Sequence, residues 1–586
     1  MFTQCRSGSK IQAHDRWGRA SNFPKMTSFF LFLNLVTFTI SVSAQTIAPG
    51  APPAITLHTQ TTLVEVPVVI TDRQGKRVAG LSRDNFRLGA GGREQPIASF
   101  QEIQTQGIQT HLSAGDPAIQ TNFQSLPVNP GQSRLTIVVY DGPSINFQDQ
   151  LRAHREMASA VQESLSPGES IALLAITFHG LRVIHDFTQD SSQVLSSLQH
   201  LHLGQSFAEK AADEIAALPS DLKRSVGDED TFQPHRRAGQ NSASNTDIEE
   251  ANRLRNAFSD LATSQNFYHL GNTLRALRQI AEAFSGVPGK KNLIWITGGF
   301  NFALQTDPLR NGRYFSSARE MYQKTYSALN AANMAVYPLD VGSMVPDVSA
   351  KDQSSPVSRV PVARVSQMEE FAALTGGEMC YYYSNLRACL NQALEDSLQY
   401  YLLSFYAPQT RSGWQKLNVK VDLPDVKVRA RTGYYYVNPD DHLGNSERSR
   451  SQELAIALAS PVEYRGLPLA VRVASSDHTS GVLRFAVLVL PGAATIDSEH
   501  KNHIDLEFAA LVTDPRGKPI KDAYKNFTGD LQPDNAKAIR ELGIKNEFAI
   551  QLPLGEYTVR VVVRDNVSGR IGTVATSAPR NSSFGK

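Results

Sequence analysis

The strongest constraint on the fold is a series of continuous apolar segments, starting near residue 134, that alternate with segments of helical periodicity. The first of them, LTIVVY (135–140), contains no charge, as is typical of strands buried on both faces of a sheet. The later apolar segments are SIALLAIT (170–177), KNLIWIT (291–297) and MAVYPLD (334–340). Strands that alternate with helices predict a doubly wound α/β sheet, in which ligands bind where loops follow the carboxyl ends of the strands.

Further segments complete the predicted α/β domain, which we place at residues 134–437. LRVIHDF (181–187) has the pattern of a short edge strand, and EMCYYY (378–383) is interpreted as another strand. Residues 203–265 are polar, carry charges of both signs and hold few large apolar residues, which is typical of a surface insertion. Residues 398–437 alternate as strands do and are predicted to extend the domain as a β extension.

Two regions outside this domain also show strand patterns. Residues 61–105 alternate apolar and polar side chains and contain Gly turns, which predicts a small N-terminal β module. Residues 453–580 contain about seven strand-like segments separated by Gly and Pro turns, which predicts an Ig-like β-sandwich. The chain is therefore expected to be mixed α/β, with β modules on both sides of the α/β domain.

The N-terminal segment has the pattern of an export signal. The apolar run FFLFLNLVTFTI (29–40) is followed by Val42-Ser43-Ala44, small residues that favour cleavage before Gln45. The run is shorter than the roughly 20 residues that a membrane span requires. We therefore predict that residues 1–44 are a signal peptide with an extended n-region, that Met26 is an alternative start, and that the mature protein is secreted or periplasmic without a transmembrane span.

The charge balance gives no indication of nucleic acid binding. The 58 Lys and Arg residues and 56 Asp and Glu residues give a net charge of +2, and residues 1–44 alone carry five basic residues and one acidic residue. Removal of this segment leaves a net charge of −2 on the mature chain. A nucleic-acid-binding protein usually shows a marked basic excess, so nucleic acid is not expected as a partner.

Two cysteines, Cys380 and Cys389, remain after removal of the predicted signal peptide, which contains Cys5. In an exported protein they can form a disulfide, and the alternative is a pair of buried thiols. Two cysteines without a neighbouring histidine pair cannot complete a structural zinc site.

No catalytic signature is present in the sequence. The chain lacks Gly-x-Ser-x-Gly, His-Glu-x-x-His and Walker-type phosphate loops. The segment GVPGKKN (286–292) contains Gly and Lys but precedes a predicted strand, whereas a phosphate-binding loop opens a helix. The 14 histidines are scattered and are interpreted as surface or core residues. These observations predict that the chain is not an enzyme.

Three predicted loops carry side chains of the kind that bind a hard cation. Asp141 ends the first strand of the α/β domain, and Ser144 follows it. Thr273 lies in LGNTLRAL, at a predicted helix start where a hydroxyl caps the helix or binds an ion. The third loop, WITGGF (295–300), follows another central strand. Mg²⁺ prefers such oxygen ligands, and local backbone capping by Asp141 and Thr273 is the alternative.

Several segments together carry a resemblance to a known family. They are VVITDRQGKRVAGLSRDNFRL, VVYDGPSINFQDQ, IWITGGFNF, YYLLSFYAP and RARTGYYY. Over roughly residues 60–437 the chain resembles the VWFA-related domain family, which is typical of acidobacterial secreted proteins. Within this range, residues 134 to about 340 resemble a von Willebrand factor A domain. The resemblance implies a Rossmann-like fold and protein binding. In classical members it also implies a metal-ion-dependent adhesion site, written Asp-x-Ser-x-Ser, with a Thr and a second Asp on two further loops.

The match to this adhesion site is partial in the first loop. Asp141 takes the first Asp position, but Pro143 and Ile145 stand at the two Ser positions and offer no side-chain oxygen. Ser144 lies one position out of register. The first loop therefore predicts a degenerate site.

The other two loops supply one further ligand position. Thr273 takes the Thr position in a Gly-x-Thr-Leu setting, whereas the second Asp position falls on Gly298. With a single carboxylate the site is expected to bind Mg²⁺ or Mn²⁺ weakly or not at all, and a shifted Ser144 or a partner's carboxylate would add a ligand. The expected function is protein recognition or adhesion through the loops above Asp141, Thr273 and Gly298. The alternatives are an exported enzyme with an unrecognised site and a metal-free envelope scaffold.

Overall fold

The computed structural model describes residues 63–104, 119–122, 134–145, 147–164, 169–201, 264, 267–299, 308–341, 360–381, 386–408, 412–436, 447–477, 482–553 and 555–578. The predicted signal peptide lies outside the described residues, and so does the predicted insertion 203–265 except for residue 264. The strands of the N-terminal half are β1 (Leu63–Asp72), β2 (Phe86–Ala90), β3 (Arg93–Gln95), β4 (Ser99–Gln104), β5 (Ile119–Thr121), β6 (Arg134–Asp141), β7 (Glu169–Thr177), β8 (Gly180–Thr188), β9 (Lys291–Thr297) and β10 (Met334–Asp340).

The C-terminal half contributes further strands and the chain is completed by helices. The strands are β11 (Gln399–Tyr406), β12 (Gly413–Val421), β13 (Val426–Ala430), β14 (Gly433–Tyr436), β15 (Leu469–Asp477), β16 (Val482–Val489), β17 (His503–Thr513), β18 (Pro519–Asp530), β19 (Ile544–Gln551), β20 (Tyr557–Asp565) and β21 (Ile571–Ala578). The helices are α1 (Phe147–Ser164), α2 (Ser191–Gln199), α3 (267–283), α4 (Pro308–Ala331), α5 (Val360–Thr375), α6 (Leu386–Leu398), α7 (Glu447–Ala459) and α8 (Pro533–Leu542). Among the described helices, none combines the length and the apolar character that crossing a membrane would require.

The central sheet has five strands in the order β10-β9-β6-β7-β8. The first four are parallel to one another, and β8 pairs antiparallel with β7 at the edge. This confirms the mixed α/β fold with a mostly parallel central sheet. The predicted strand at 378–383 is reduced in the described part to an isolated bridge between Cys380 and Leu339, and Tyr382 and Tyr383 lie outside the described residues.

Hydrophobic cores cover both faces of this sheet. All eight residues of β6 are buried, as the continuous apolar segment predicted. Because successive side chains of a strand point to opposite faces, Ile137 and Val139 enter the core formed with α3, α4 and α5. Val138 and Tyr140 enter the core formed with α1, α2 and α6. Helices therefore cover both faces of the sheet, and loops follow the carboxyl ends of its parallel strands.

The strand order places a switch point between β6 and β9. From β6 the chain passes through α1 to β7 on one side, and it later returns through α3 to β9 on the other side of β6. The loops after β6 and β9 therefore leave in opposite directions and open a crevice between them. Asp141 ends β6 and Thr297 ends β9, so both lie at this crevice.

The N-terminal segment and the predicted β extension belong to one structural module. In one sheet β1 pairs with β11 and β13, and in the second sheet β2 pairs with β12. The shared core includes Val66 and Val68 from the first segment and Leu403 and Phe405 from the second. The strand pairing thus revises the separate grouping of 61–105 and 398–437, because the apolar face of a few short strands needs a second set of strands to cover it.

The C-terminal region contains two four-stranded sheets that contribute to one core. Its sheets have the orders β19-β16-β15-β5 and β18-β17-β20-β21, so the short strand β5, distant in sequence, joins the first sheet. Phe485 and Phe548 stack in the core with ring centroids 5.0 Å apart. Helix α7 lies before the sandwich and buries Leu454 and Ala457 in the core of the α/β domain. This helix was not predicted from the sequence.

Candidate functional site

Asp141 is the centre of a polar cluster at the switch point. Its side chain is fully buried. Thr273 and Thr297 each donate a hydrogen bond to Oδ2, both with 3.2 Å between the oxygens. His269 Nε2 lies 3.3 Å from Oδ1, and because a carboxylate can only accept, Nε2 is the donor of this contact. Both carboxyl oxygens of Asp141 are thus engaged by side chains of the protein itself.

Ser144 ties the first loop to the third. It ends a single 3-10 turn, Gly142–Ser144, and its hydroxyl donates to the main-chain oxygen of Asp141 at 2.8 Å. The same Oγ accepts a hydrogen bond from Gly298 N at 2.9 Å and lies 3.0 Å from the Thr297 hydroxyl. Ser144 therefore contacts the backbone of Asp141 and not its carboxylate, whereas Thr273 contacts the carboxylate directly.

Gly298 has no room for a side chain. A Cβ atom built on its backbone would lie 2.1 Å from the main-chain oxygen of Ser144. The close approach of the two loops therefore requires glycine at this position. The absence of the second adhesion-site acid is thus linked to the geometry of the first loop, and no acid can be placed there without separating the loops.

Two members of the cluster, His269 and Thr297, were missed by the sequence reasoning. Thr273, which was predicted, lies inside α3 and not at its start, since the helix already includes residue 267. His269 precedes it by four residues, which places both side chains on one helix face. Thr297 is the last residue of β9, directly before Gly298. The spacing of His269 and Thr273, and the strand end at Thr297, were the available signals.

We name the region built from Asp141–Ser144, Tyr268–Thr273 and Thr297–Gly299 the loop face; of these residues, only Ser144 and Tyr268 are not buried. The buried Asn272 donates from Nδ2 to the main-chain oxygen of Thr177 at 2.8 Å, which anchors α3 to the end of β7. Tyr268 lies in the same helix, with 57% of its surface exposed. The loop face therefore combines a buried, hydrogen-bonded base with an exposed aromatic residue.

The donors of this cluster do not fit a hard-cation site as they are arranged. A Mg²⁺ site needs several oxygen ligands in a near-octahedral array, usually with carboxylates. The cluster has one carboxylate, and the described residues contain no group of three or more His, Cys, Asp or Glu side chains placed to hold a metal ion. In addition, an N–H donor, His269, occupies one side of the carboxylate. A cation would have to displace these donors before binding.

The two cysteines lie in the core on one face of the sheet and are not part of the loop face. The structure joins Cys380 to Cys389, with Cα atoms 5.8 Å apart. This spacing is within the range that disulfides span. The disulfide connects Cys380, which lies beside β10, to Cys389 in helix α6. Both cysteines are buried in the core shared with α1 and α2.

A second buried aspartate, Asp396 of α6, lies between the α/β domain and the N-terminal β module. Arg77 and Arg429 of that module both donate to Oδ1, the latter at 2.6 Å. Tyr337 donates to Oδ2, and Lys290 Nζ lies 4.0 Å from Oδ2. We name these five residues the interdomain network.

The charges of the interdomain network shift the pKa values of its members. Burial alone would raise the pKa of Asp396, but Lys290, Arg429 and Arg77 together hold this pKa below its usual range. Burial lowers the pKa of Lys290 to about 7, against the opposing attraction of Asp396. This network joins two structural modules, and it lies at the amino end of β9, away from the crevice.

Comparison with known proteins yields weak likenesses. No family model and no curated protein matches the chain. Among solved structures, the chain is similar to the N-terminal domain of TFIIH p34, with 13% identity, a TM-score of 0.18, and coverage of 46% of this chain and 99% of that chain. It is similar to the SpRpn10 VWA domain with 12% identity, a TM-score of 0.14, and coverage of 35% and 88%.

A third similar structure belongs to a different class of protein. It is the endonuclease/exonuclease/phosphatase from Beutenbergia cavernae DSM 12333, with 11% identity, a TM-score of 0.12, and coverage of 32% of this chain and 39% of that chain. At these TM-scores, none of the three likenesses indicates what the chain does, and the similarity to a VWA domain is a weak one.

Proposed function

We propose that the chain is an exported multidomain binding protein that recognises another protein through the loop face of a von Willebrand factor A-type domain, without a bound metal. The observation that supports this most directly is the hydrogen bonding of Asp141. Its carboxylate links β6 to α3 and β9 through His269, Thr273 and Thr297. Side-chain donors of the protein thus hold together the loops that a cation would otherwise organise.

The position of the cluster supports a recognition role. In open α/β sheets, ligands bind outside the carboxyl ends of the strands at the switch point, which is where Asp141 and Thr297 lie. Loops that are fixed by mutual hydrogen bonds lose little conformational entropy when a partner binds. The Ser144–Gly298 contact gives the loop face this kind of rigidity.

Tyr268 is the residue of the loop face best suited to anchor a partner. It is 57% exposed, although it is a large aromatic side chain beside the buried His269. Tyrosine is enriched among the residues that dominate binding energy at protein interfaces. We therefore expect Tyr268 to contribute more to binding than the buried polar groups, whose role is to position the loops.

The sequence features are consistent with an exported binding protein. The signal-peptide pattern of residues 1–44 supports export, and the small net charge gives no support for nucleic acid as the partner. No catalytic motif supports the alternative of an exported enzyme. If residues 1–44 are removed as proposed, N-terminal sequencing of the exported protein will begin at Gln45.

Affinity capture from an envelope fraction tests the proposed function. The bait is the mature full chain, as wild type, Tyr268→Ala, and a control, Tyr406→Ala, which removes a tyrosine of similar exposure (56%) from the β module. We expect wild type and Tyr406→Ala to retain the same partner, and Tyr268→Ala to retain about tenfold less. EDTA is expected to have no effect.

Three outcomes would contradict the proposal. Equal capture by all three baits would exclude the loop face as the binding surface, and loss of capture in EDTA would show that a divalent cation takes part. If crosslinked envelope material contains no partner at all, the metal-free scaffold becomes the better interpretation.

A further inference from the structure

The C-terminal sandwich carries a basic groove on the sheet β19-β16-β15-β5, away from the residues of the loop face. Strand register places Arg472 opposite Ala486, and Ala486 opposite Glu547. It also places Arg484 opposite Ala549. These positions alternate with core residues along their strands, so they share one outward face. They line an open cavity of about 810 Å³.

Positive charge predominates in this groove. Among the described residues, four cationic side chains, Arg472, Arg484, Lys525 and Lys545, line it together with one acid, Glu547. The Lys545 ammonium lies 2.7 Å from a Glu547 carboxylate oxygen. This hydrogen bond, with further attraction from Lys525 and Arg484, lowers the pKa of Glu547. Even without Arg472, one acid cannot neutralise the charges of Arg484, Lys525 and Lys545, so these three cations and Glu547 together keep a net positive charge.

Lys525 is held in place at the edge of the groove. Its Nζ lies 4.9 Å from the centroid of the Phe548 ring and 3.3 Å from Asn546 Oδ1, and it donates to the main-chain oxygen of Glu547. A lysine fixed by a cation–π contact and by hydrogen bonds loses less side-chain entropy on binding than a freely moving one.

The floor of the groove is small and aliphatic. Ala470, Ala486, Ala549 and Leu488 line it between the cations, and Ile119 of β5 adds an apolar side chain that is 38% exposed. A floor of this kind offers apolar contact to the side chains of an extended segment, and the cations beside it offer ion pairs.

The aromatic residues of the groove argue against nucleic acid. Phe485 and Phe548 are 1% and 3% exposed and stack on each other at an interplanar angle of 6°. Proteins that bind single-stranded nucleic acid present exposed aromatic faces for the bases. Within the described lining, the aromatic rings are turned into the core and offer no such face.

We infer that this groove binds an acidic, extended segment of a partner protein, whose carboxylates meet Arg484, Lys525 and Lys545 and whose aliphatic side chains contact the alanine floor. Complementary charge steers such an encounter and sets its specificity, and the apolar floor adds buried area. This site goes beyond the proposed function, since it lies in a different domain from the loop face and does not depend on Asp141.

Fluorescence anisotropy with the mature full chain tests this inference. The probe is a labelled peptide of alternating Glu and Val residues, and the same peptide with Gln in place of Glu is the comparison. We expect the Glu peptide to bind, the Gln peptide to bind at least tenfold more weakly, and added salt to weaken the Glu peptide. Asp141→Asn should leave this binding unchanged.

Two groove variants and one control locate the binding. Arg484→Glu combined with Lys545→Glu should weaken binding of the Glu peptide about tenfold or more. Lys416→Glu combined with Lys420→Glu makes the same change in net charge on the exposed side of β12 and should have little effect. Ala549→Tyr keeps the charge but fills the floor, and should weaken binding several-fold. An unchanged thermal midpoint shows that each variant is folded.

Three results would overturn the inference. The first is equal weakening by the groove and control charge reversals, which would indicate a general charge effect. The second is equal binding of the Gln peptide. The third is tighter binding of single-stranded DNA or of a sulfated polysaccharide than of the Glu peptide, in a manner lost in the groove variants, which would assign the groove to a different class of polymer.

Discussion

Two buried aspartates of this protein are stabilised in different ways. Asp141 and Asp396 both have side chains with no exposed surface. Asp396 is surrounded by the cations of Arg77, Arg429 and Lys290, which come from two structural modules. Asp141 is surrounded by hydroxyls and one imidazole within a single domain. Burial alone therefore does not distinguish the roles of the two aspartates, whereas the chemistry of their hydrogen-bond donors does.

The difference indicates two roles. Cations around a buried carboxylate form a strong but conditional link, because the removal of one member leaves the others uncompensated. Hydroxyl donors leave no charge behind, and they hold backbone segments at short distances. We therefore interpret the interdomain network as a structural joint, and the Asp141 cluster as the support of a recognition surface.

The largest expected effect is that of Asp396→Ala. It removes the carboxylate that the buried Lys290 and the partly buried Arg77 and Arg429 share, and we expect the free energy of unfolding to fall by about 3–5 kcal/mol. Urea unfolding of the mature chain measures this loss. The control is Asp422→Ala, which removes the partner of Arg87 in an exposed pair, 3.2 Å apart, and should cost less than about 1 kcal/mol. Similar losses in both variants would show that the network is not a structural joint.

The pH dependence of stability should reflect Lys290. Burial lowers its pKa in the folded protein to about 7, from an ordinary value of 10.5. Between these values the unfolded chain binds more protons at this group than the folded chain, so its contribution makes the free energy of unfolding rise with pH. Lys290→Met should reduce this slope by about 1.4 kcal/mol per pH unit between pH 8 and pH 9.

A matched variant separates this effect from general titration. Lys324→Met removes an exposed lysine that pairs with Glu320, and it should leave the slope unchanged. An unchanged slope in Lys290→Met would mean that Lys290 stays protonated in the folded protein, and that the network is more strongly coupled than we infer.

A smaller effect is expected when the loops are forced apart. Gly298→Ala places a Cβ against the main-chain oxygen of Ser144, and we expect a loss of about 1–3 kcal/mol from overpacking. Gly89→Ala is the control, because its nearest contact would be an ordinary 3.7 Å, and it should change stability by less than about 1 kcal/mol. If the two variants behave alike, the close contact between the first and third loops does not exist in solution.

The smallest expected effect is that of Thr273→Val. It removes one neutral donor from Asp141 and leaves His269 and Thr297 in place, so the expected loss is about 1 kcal/mol. Thermal unfolding beside the exposed control Thr558→Val measures it. A loss as large as that of Asp396→Ala would remove the distinction between the two aspartates.

Much of the α/β domain could be predicted because its strands are buried on both faces. KNLIWIT and MAVYPLD coincide with β9 and β10, since a continuous apolar segment has few other places in a soluble fold. Asp141 was likewise identifiable, because it ends such a segment. Local sequence was sufficient for these features.

The remaining features depend on contacts between distant residues. His269 lies 128 positions from Asp141, and no local pattern pairs them. The pairing of β1 with β11, and of β5 with β15, joins segments hundreds of residues apart. The restriction at Gly298 arises from the backbone of Ser144, which is visible only when the two loops are placed together. Periodicity reports which face of an element is buried, but it does not report what covers that face.

Isothermal titration of Mg²⁺ and Mn²⁺ into the mature chain tests the metal-free loop face most directly. Wild type is compared with Asp141→Asn, which keeps the shape of the side chain and removes its charge. Because His269, Thr273 and Thr297 already occupy the carboxylate, we expect no saturable binding of either cation to either protein. Saturable binding to wild type that is lost in Asp141→Asn would contradict this and would restore a cation to the centre of the loop face.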